Sequence, residues 1–197
     1  MDILGKINWV DFVVLIVIAR TSYVSLQDGL SHGILPLVGS VFMLVLSLYS
    51  YSRIAALLFS WGFALPMDVL NAFSFIMSVI AIGVLFKFIS VTIDKIIKVS
   101  WNPVLEKFGG LAVGVVRGAV LASTILTIIV LLPLPYLQWS IRDRSLTGMY
   151  VLGIGPAIYG KTSTFMANAP VNSKEFMDNL VIDKSLYPTY NDQPAQK

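Results

Sequence analysis

Charged residues inside apolar stretches are the part of this sequence with the clearest potential for chemistry. Asp11, Arg20, Lys87 and Arg117 each stand within or beside a run of hydrocarbon side chains. A charge inside a membrane is energetically costly, so such residues usually mark ion pairs, ion paths or contacts with a partner. These positions are therefore the first candidates for a polar functional site.

Histidine and cysteine, the side chains that most often bind zinc and that often serve as catalytic bases or nucleophiles, are nearly missing from the sequence. His32 is the single histidine, and the chain contains no cysteine. A protein zinc site takes three or four ligands, and an activated nucleophile needs a base within hydrogen-bonding reach. We therefore predict no catalytic residue, no metal ligand and no cofactor, and we interpret the protein as non-enzymatic.

The composition indicates a membrane protein. Hydrophobic residues make up 56% of the 197 residues and charged residues 13%, and the mean hydropathy is +0.80. Soluble domains average about 25% charged residues, so this chain has too few to cover a water-facing surface. The lipid bilayer is thus the first expected partner. The net charge of +3 comes from scattered basic residues, which argues against nucleic acid binding.

Four apolar segments predict an all-α fold, an integral membrane bundle of four transmembrane helices. A crossing helix needs about 20 apolar residues. The predicted spans cover residues 9–26, 33–59, 69–93 and 109–132. Between the first two spans, Gln27–Gly33 is predicted to form a tight turn that contains two glycines.

The remaining segments surround this bundle. Residues 94–108 are amphipathic up to Trp101 and then contain Asn102-Pro103, so we predict a link that lies along the membrane surface. The four-helix domain is assigned to residues 1–135. Residues 136–167 are predicted to form an interfacial or docking helix, and residues 168–197 a mobile polar tail.

The fourth span carries a ladder of small residues at four-residue spacing. Its members are Gly110, Gly114, Gly118 and Ala122. Small residues at this spacing let two helix backbones approach closely inside a membrane. The ladder predicts a packing seam, which either joins the helices of this chain or joins the chain to a second copy or to another membrane protein.

Arg117 lies on the same face as Gly110, because seven residues make nearly two helical turns. Asp11 begins the first span and Arg117 lies early in the antiparallel fourth span, so the two belong on opposite membrane sides. Asp28 and Asp94 lie on the Arg117 side and are its candidate partners.

Arg20 and Lys87 complete the set of candidate intramembrane charges. Lys87 lies within snorkelling reach of the membrane surface.

Three short motifs, taken together in their order, resemble those of the colicin V production protein family of bacterial inner-membrane proteins. The resemblance covers roughly residues 8–160. The first motif, Trp9-x-Asp11, opens the first span, and the second, Gly29-x-x-x-Gly33, forms the first turn. The third, in the last span, is Gly110-x-x-x-Gly114-x-x-Arg117-Gly118. Members usually have basic residues around the first turn, where this chain has Gln27, Asp28 and His32.

The resemblance implies a multi-pass protein of the bacterial inner (cytoplasmic) membrane. Its implied role is the production or export of a peptide toxin, or the maintenance of the envelope. The intramembrane charges leave an alternative open, a small transporter or channel. Lys and Arg are almost equally divided between the two membrane sides, and the compact link that contains Lys95, Lys98 and Lys107 is favoured as cytoplasmic.

Overall fold

The structure is a computed structural model that describes residues 8–63, 65–94, 102–132 and 147–163, together with residues 134, 136–137, 140–141 and 145. Four long helices account for most of these residues. They are α1 (Trp9–Ser60), α2 (Met67–Asp94), α3 (Pro103–Leu131) and α4 (Gly148–Ser163). The predicted all-α class is confirmed for the part of the chain that is described. Residues 95–101 of the predicted link and the predicted tail at 168–197 lie outside it.

Helices α1, α2 and α3 are each long and apolar enough to cross a membrane. Large apolar side chains cover their outer surfaces, including Leu15 on α1 and both Phe73 and Phe88 on α2. Water would disfavour so much exposed hydrocarbon, whereas lipid would not. With 52 residues, α1 would be about 78 Å long if straight, far more than the ~30 Å thickness of a bilayer core.

A break at Gly29 divides α1 into two segments, α1a (residues 9–28) and α1b (residues 30–60). Gly29 has φ 81° and ψ 177°, a conformation outside the helical region. Residues with a Cβ rarely adopt positive φ, and glycine does so at little cost. The predicted turn from Gln27 to Gly33 is therefore too long, since the change of direction takes place at Gly29 alone.

The first segment, α1a, runs antiparallel to α3. Near the start of α3, Gly110 packs against Ser25 and Gly29, at the end of α1a. Eight residues further along α3, Gly118 packs against Ile18, which comes earlier in α1a. The order of contacts is reversed between the two helices.

The second segment, α1b, runs parallel to α3. Gly33, early in α1b, lies against Val113, and later residues such as Leu48 share a buried cluster with Ile128. Because α1a and α1b run in opposite directions along α3, the chain reverses its direction at Gly29.

Helix α2 runs antiparallel to α1b. Gly83 lies next to the sulfur of Met43, and the ring of Phe75 packs edge-on against Tyr51 with centroids 6.0 Å apart. The four segments α1a, α1b, α2 and α3 therefore alternate in direction. One end of the bundle contains Gly29 and the start of α3, and we call it the Gly29 end. The opposite end contains Asp11 and is called the Asp11 end.

Two buried clusters form the core, and α3 contributes to both. The first joins α1a, α3 and α4 through residues that include Val14, Leu126 and Leu152. The second joins α1b, α2, α3 and α4, with Phe75 and Tyr159 among its members. Helix α4 thus completes both clusters, and the segment predicted to be interfacial or docking contains a helix packed onto the bundle.

Helix α3 begins at Pro103, six residues before the predicted start of the fourth span. The side chain of Asn102 accepts a hydrogen bond from the backbone of Val104, and proline occupies the first helical turn. Asparagine is favoured as an N-cap and proline at the first helical position. The Asn-Pro pair therefore starts a helix here, and residues 103–108 belong to α3 instead of to a surface link.

Candidate functional site

The glycine seam (Gly110, Gly114 and Gly118) is buried against α1a. A Cβ added to Gly114 would lie 2.7 Å from the Cα of Ser22, and one added to Gly118 would lie 2.8 Å from the Cα of Ile18. Real Cβ atoms essentially never come that close to another heavy atom. The helices therefore touch backbone to backbone, as small residues at four-residue spacing permit.

Ala122 continues this surface into the hydrophobic core. It is buried with Val10, Val14 and Leu126. Helix segment α1a of the same chain therefore packs against the ladder along its length. Association with a second copy or with another membrane protein stays a prediction, and it would need a different surface.

Glu106 caps the start of α1b at the Gly29 end. Its Oε1 accepts a hydrogen bond of 3.0 Å from the backbone N–H of Ser31. The first amides of a helix lack intrahelical partners, and a carboxylate is favourable next to them. The same side chain lies across Gly29, where an added Cβ would be 2.6 Å from Oε1. Glycine at this position therefore provides both the positive φ and the space for Glu106.

Sequence reasoning did not identify Glu106, because it placed the residue in a surface link. The pair Asn102-Pro103 is the signal that would have found it. Read as a helix N-cap followed by a first-turn proline, this pair puts Glu106 into the first turn of α3. Its contact with Ser31 joins residues 75 positions apart, which no local pattern specifies.

Arg117 is partly buried on α3 and interacts electrostatically with Asp28. Long side chains on a helix point back toward its N-terminus, which directs the guanidinium toward the Gly29 end, where Asp28 lies. The Nε atom of Arg117 is buried and has no hydrogen-bond acceptor among the described residues. The geometry brings these two charges near each other, and a functional role for the pair stays a prediction.

The other candidate charges are not brought together with Arg117 in the described parts of the chain. The side chain of Asp94 lies outside the described residues. Arg20 and Lys87 are exposed on the outer surfaces of α1a and α2.

Asp11 connects the start of α1a to the start of α4. Its Oδ1 accepts hydrogen bonds from the hydroxyl of Ser145 at 2.7 Å and from the backbone N–H of Thr147 at 2.9 Å. The Thr147 hydroxyl donates to the same oxygen at 2.6 Å. Because Thr147 directly precedes α4, the carboxylate also lies at the positive end of that helix.

Trp9 and Asn8 extend this connection. The indole Nε1 of Trp9 donates a 2.8 Å hydrogen bond to the hydroxyl of Ser140, and the side-chain amide of Asn8 donates to the Ser140 carbonyl at 3.1 Å. The Trp9-x-Asp11 motif thus attaches the segment that precedes α4 to the start of α1a.

Ser123 holds the middle of α4 against α3. Pro156 lacks an N–H, so it provides no helical hydrogen bond for the carbonyl of Leu152. The hydroxyl of Ser123 donates to that carbonyl at 3.4 Å and accepts from the backbone N–H of Gly155 at 3.0 Å. A buried side chain from α3 therefore compensates for the proline in α4.

The polar groups described above connect one helix to another, and their contacts are those of helix caps and interhelical hydrogen bonds. In the part of the chain covered by the structure, no group of three His, Cys, Asp or Glu side chains is placed to hold a metal ion. The predictions of no catalytic residue, no cofactor and no metal stay predictions. The geometry supports helix capping, close packing and an electrostatic interaction between Arg117 and Asp28.

Comparison with known proteins agrees with the resemblance found in the sequence. The family model described as colicin V production protein matches residues 10–152. This range runs from Val10, near the start of α1, into α4 and includes Asp11, Glu106 and the glycine seam. Searches of curated proteins and of solved structures returned no match. Since the family match spans well over half of the chain, the chain belongs to this family.

Proposed function

We propose that this member of the colicin V production protein family is a non-enzymatic, multi-pass protein of the bacterial inner membrane. In this proposal it supports the production or export of a peptide toxin, or the maintenance of the envelope that export depends on. The observation that carries the proposal is the family match over residues 10–152, which covers the packed bundle and the start of α4.

We further propose that α1a, α1b, α2 and α3 each cross the membrane. At 1.5 Å per residue, α1a is about 30 Å long, close to the thickness of a bilayer core. The other three segments are longer. The alternating directions of the segments support this arrangement, because consecutive crossings must run in opposite directions.

A toxin-release assay tests the functional proposal. Cells that lack this protein and carry the genes for a secreted peptide toxin are compared with cells in which the full chain is restored. Toxin in the medium is measured by growth inhibition of sensitive cells, and envelope integrity by leakage of a periplasmic enzyme. We expect the loss of the protein to reduce toxin release or to increase leakage. Unchanged values for both measurements would contradict the proposal.

A small transporter or channel is the second candidate function, favoured by the electrostatic interaction of the partly buried Arg117 with Asp28 at the Gly29 end of the bundle. Intramembrane charges commonly line ion or substrate pathways. Flux of ions and small solutes through vesicles that contain the purified protein tests this candidate. A flux that disappears in Arg117→Gln would favour it, and equal flux in protein-containing and empty vesicles would exclude it.

A further inference from the structure

Arg20 is exposed at mid-height on the outer surface of α1a. At 1.5 Å per residue it lies about 16 Å from the level of Trp9 and about 12 Å from that of Asp28. An extended arginine side chain reaches roughly 7 Å from its Cα, which is less than either distance. Snorkelling from this position therefore leaves the guanidinium short of both ends of the segment.

Toward the Asp11 end, the exposed side chains on the same face as Arg20 are apolar, and toward the Gly29 end they are Tyr23 and Gln27. Arg20 forms no hydrogen bond or ion pair with the residues that the structure describes. It belongs to a row of outward-facing residues, the outer stripe, whose other members are Phe12, Ile16 and Tyr23, exposed by 59%, 60% and 62%. A cation in such a row is costly in lipid unless an anion neutralises it.

Within the described residues, a second copy of this chain does not offer that anion at the right depth. In a two-fold dimer with its axis along the membrane normal, residues at equal depth meet. Within the described part of the chain, the exposed acidic residues on the outer surfaces of the bundle are Asp28 and Asp68. Both lie at helix ends, so neither reaches the depth of Arg20 in such a dimer.

We infer that the outer stripe of α1a is the docking surface for a transmembrane helix of a different protein, and that this helix carries an aspartate or glutamate that pairs with Arg20. Charge complementarity at mid-membrane depth selects this partner. The apolar residues on either side of Arg20 pack against the partner helix, and the ion pair fixes its depth and orientation. The inference rests on the proposed crossing of the membrane by α1a and adds a partner class to the proposed function.

Site-specific photo-crosslinking in intact membranes tests the inference with the full chain. A photoreactive phenylalanine analogue replaces Ile16 on the outer stripe, and a matched control places it at Phe73, on the exposed face of α2. We expect the probe at Ile16 to form an adduct with another protein, mapped to an apolar span that contains Asp or Glu. Arg20→Gln should lower this adduct about tenfold, equivalent to ~1.4 kcal/mol, and Arg20→Lys should largely retain it.

Two further variants distinguish the loss of an ion pair at Arg20 from a general effect of removing an exposed cation. Lys87→Gln removes another exposed cation and should leave the adduct unchanged. Arg20→Glu should abolish it, and exchange of the partner's carboxylate for lysine should restore it. Adducts with lipid alone, with a second copy of the chain, or with a span that lacks a carboxylate would overturn the inference. An adduct that Arg20→Gln leaves unchanged would overturn it as well.

A failure of the partner inference can be distinguished from a failure of the proposed function. Membrane insertion of the chain with the probe at Ile16, and of Arg20→Gln, is checked by carbonate extraction, and their stability by thermal unfolding in mild detergent. If the chain with the probe at Ile16 and Arg20 intact inserts and is stable, and the toxin-release assay still depends on the protein, the absence of an adduct from that chain rejects the partner while the proposed function stands.

Discussion

The absence of a Cβ at Gly110, Gly114 and Gly118 permits the close packing of α3 against α1a. Each allows the backbone of α3 to approach a residue of α1a at a distance that no Cβ tolerates. Glycine in the interior of a helix costs about 1 kcal/mol relative to alanine in water. In this bundle the close contacts between the helices, and the dispersion energy that they provide, offset that cost.

Alanine at position 114 should destabilise the protein. The added Cβ meets the Cα of Ser22 at 2.7 Å, so α1a and α3 must move apart, and overpacking of this kind costs roughly 1–3 kcal/mol. We expect Gly114→Ala to lower the midpoint of thermal unfolding in mild detergent.

Gly153→Ala is the matched control for this substitution. Gly153 is also helical, and an added Cβ there meets nothing within 4 Å. Because alanine has the higher helix propensity, this variant should be as stable as the wild type or slightly more stable. If both variants unfolded at the same temperature, the seam would not be the close contact described above.

At the scale of helices, two carboxylates each stabilise the start of a helix other than their own. Asp11 of α1a binds Thr147 at the start of α4, and Glu106 of α3 binds Ser31 at the start of α1b. The first amides of a helix lack intrahelical partners, so a carboxylate from a neighbouring helix both satisfies them and interacts favourably with the helix dipole. These contacts tie the ends of the bundle together.

Asp11→Ala should release the start of α4. The substitution removes an acceptor of several hydrogen bonds, each to a charged group and worth about 1.5–3 kcal/mol. Hydrogen exchange by mass spectrometry should show faster exchange in residues 147–152, with little change in α2. Asp68→Ala, which removes an exposed acidic residue from the first turn of α2, is the control and should leave exchange in α4 unchanged.

Gly29 and Glu106 should show energetic coupling. Gly29→Ala forces a residue with a Cβ into positive φ, at roughly 1–2 kcal/mol, and also displaces the Glu106 side chain. Glu106→Ala removes the cap on Ser31 and also clears that space. We expect the double variant to lose less free energy of unfolding than the two single variants lose together, by about 0.5–3 kcal/mol. Thermal or denaturant unfolding measures these losses. Strict additivity would mean that Glu106 does not lie across Gly29.

For the molecule as a whole, the alternating helix directions place Gln27 and Lys107 at the Gly29 end and Trp61 at the opposite end. The chain contains no cysteine, so single cysteines at these positions report on topology directly. With a membrane-impermeant maleimide added to spheroplasts, we expect Trp61→Cys to be labelled. Gln27→Cys and Lys107→Cys should react only after lysis, since the link that contains Lys107 is expected to be cytoplasmic.

The labelling pattern also separates topology from orientation. Labelling of Gln27→Cys and Lys107→Cys, with Trp61→Cys protected, would keep the four crossings and reverse the orientation. Equal labelling of Gln27→Cys and Trp61→Cys in intact spheroplasts would mean that α1b does not cross the membrane.

Much of the helical content was predictable, because hydropathy and helix signals are local. The segments predicted at 33–59 and 69–93 agree within a few residues with α1b and α2. The start of α3 was misplaced because Asn102-Pro103 was interpreted as a turn. The length of the Gln27–Gly33 turn was overestimated because the backbone angles of one glycine, Gly29, are enough to reverse the chain.

The sequence by itself determined that this protein is helical and apolar, that it has the length for several membrane crossings, and that it resembles its family. These properties follow from composition and from spacing along a single helix. The tertiary structure decided which helix fills the glycine seam, which carboxylate caps which helix, and which charge stands near Arg117. Those outcomes depend on contacts between residues far apart in the chain, such as Glu106 with Ser31, and no local pattern contains them.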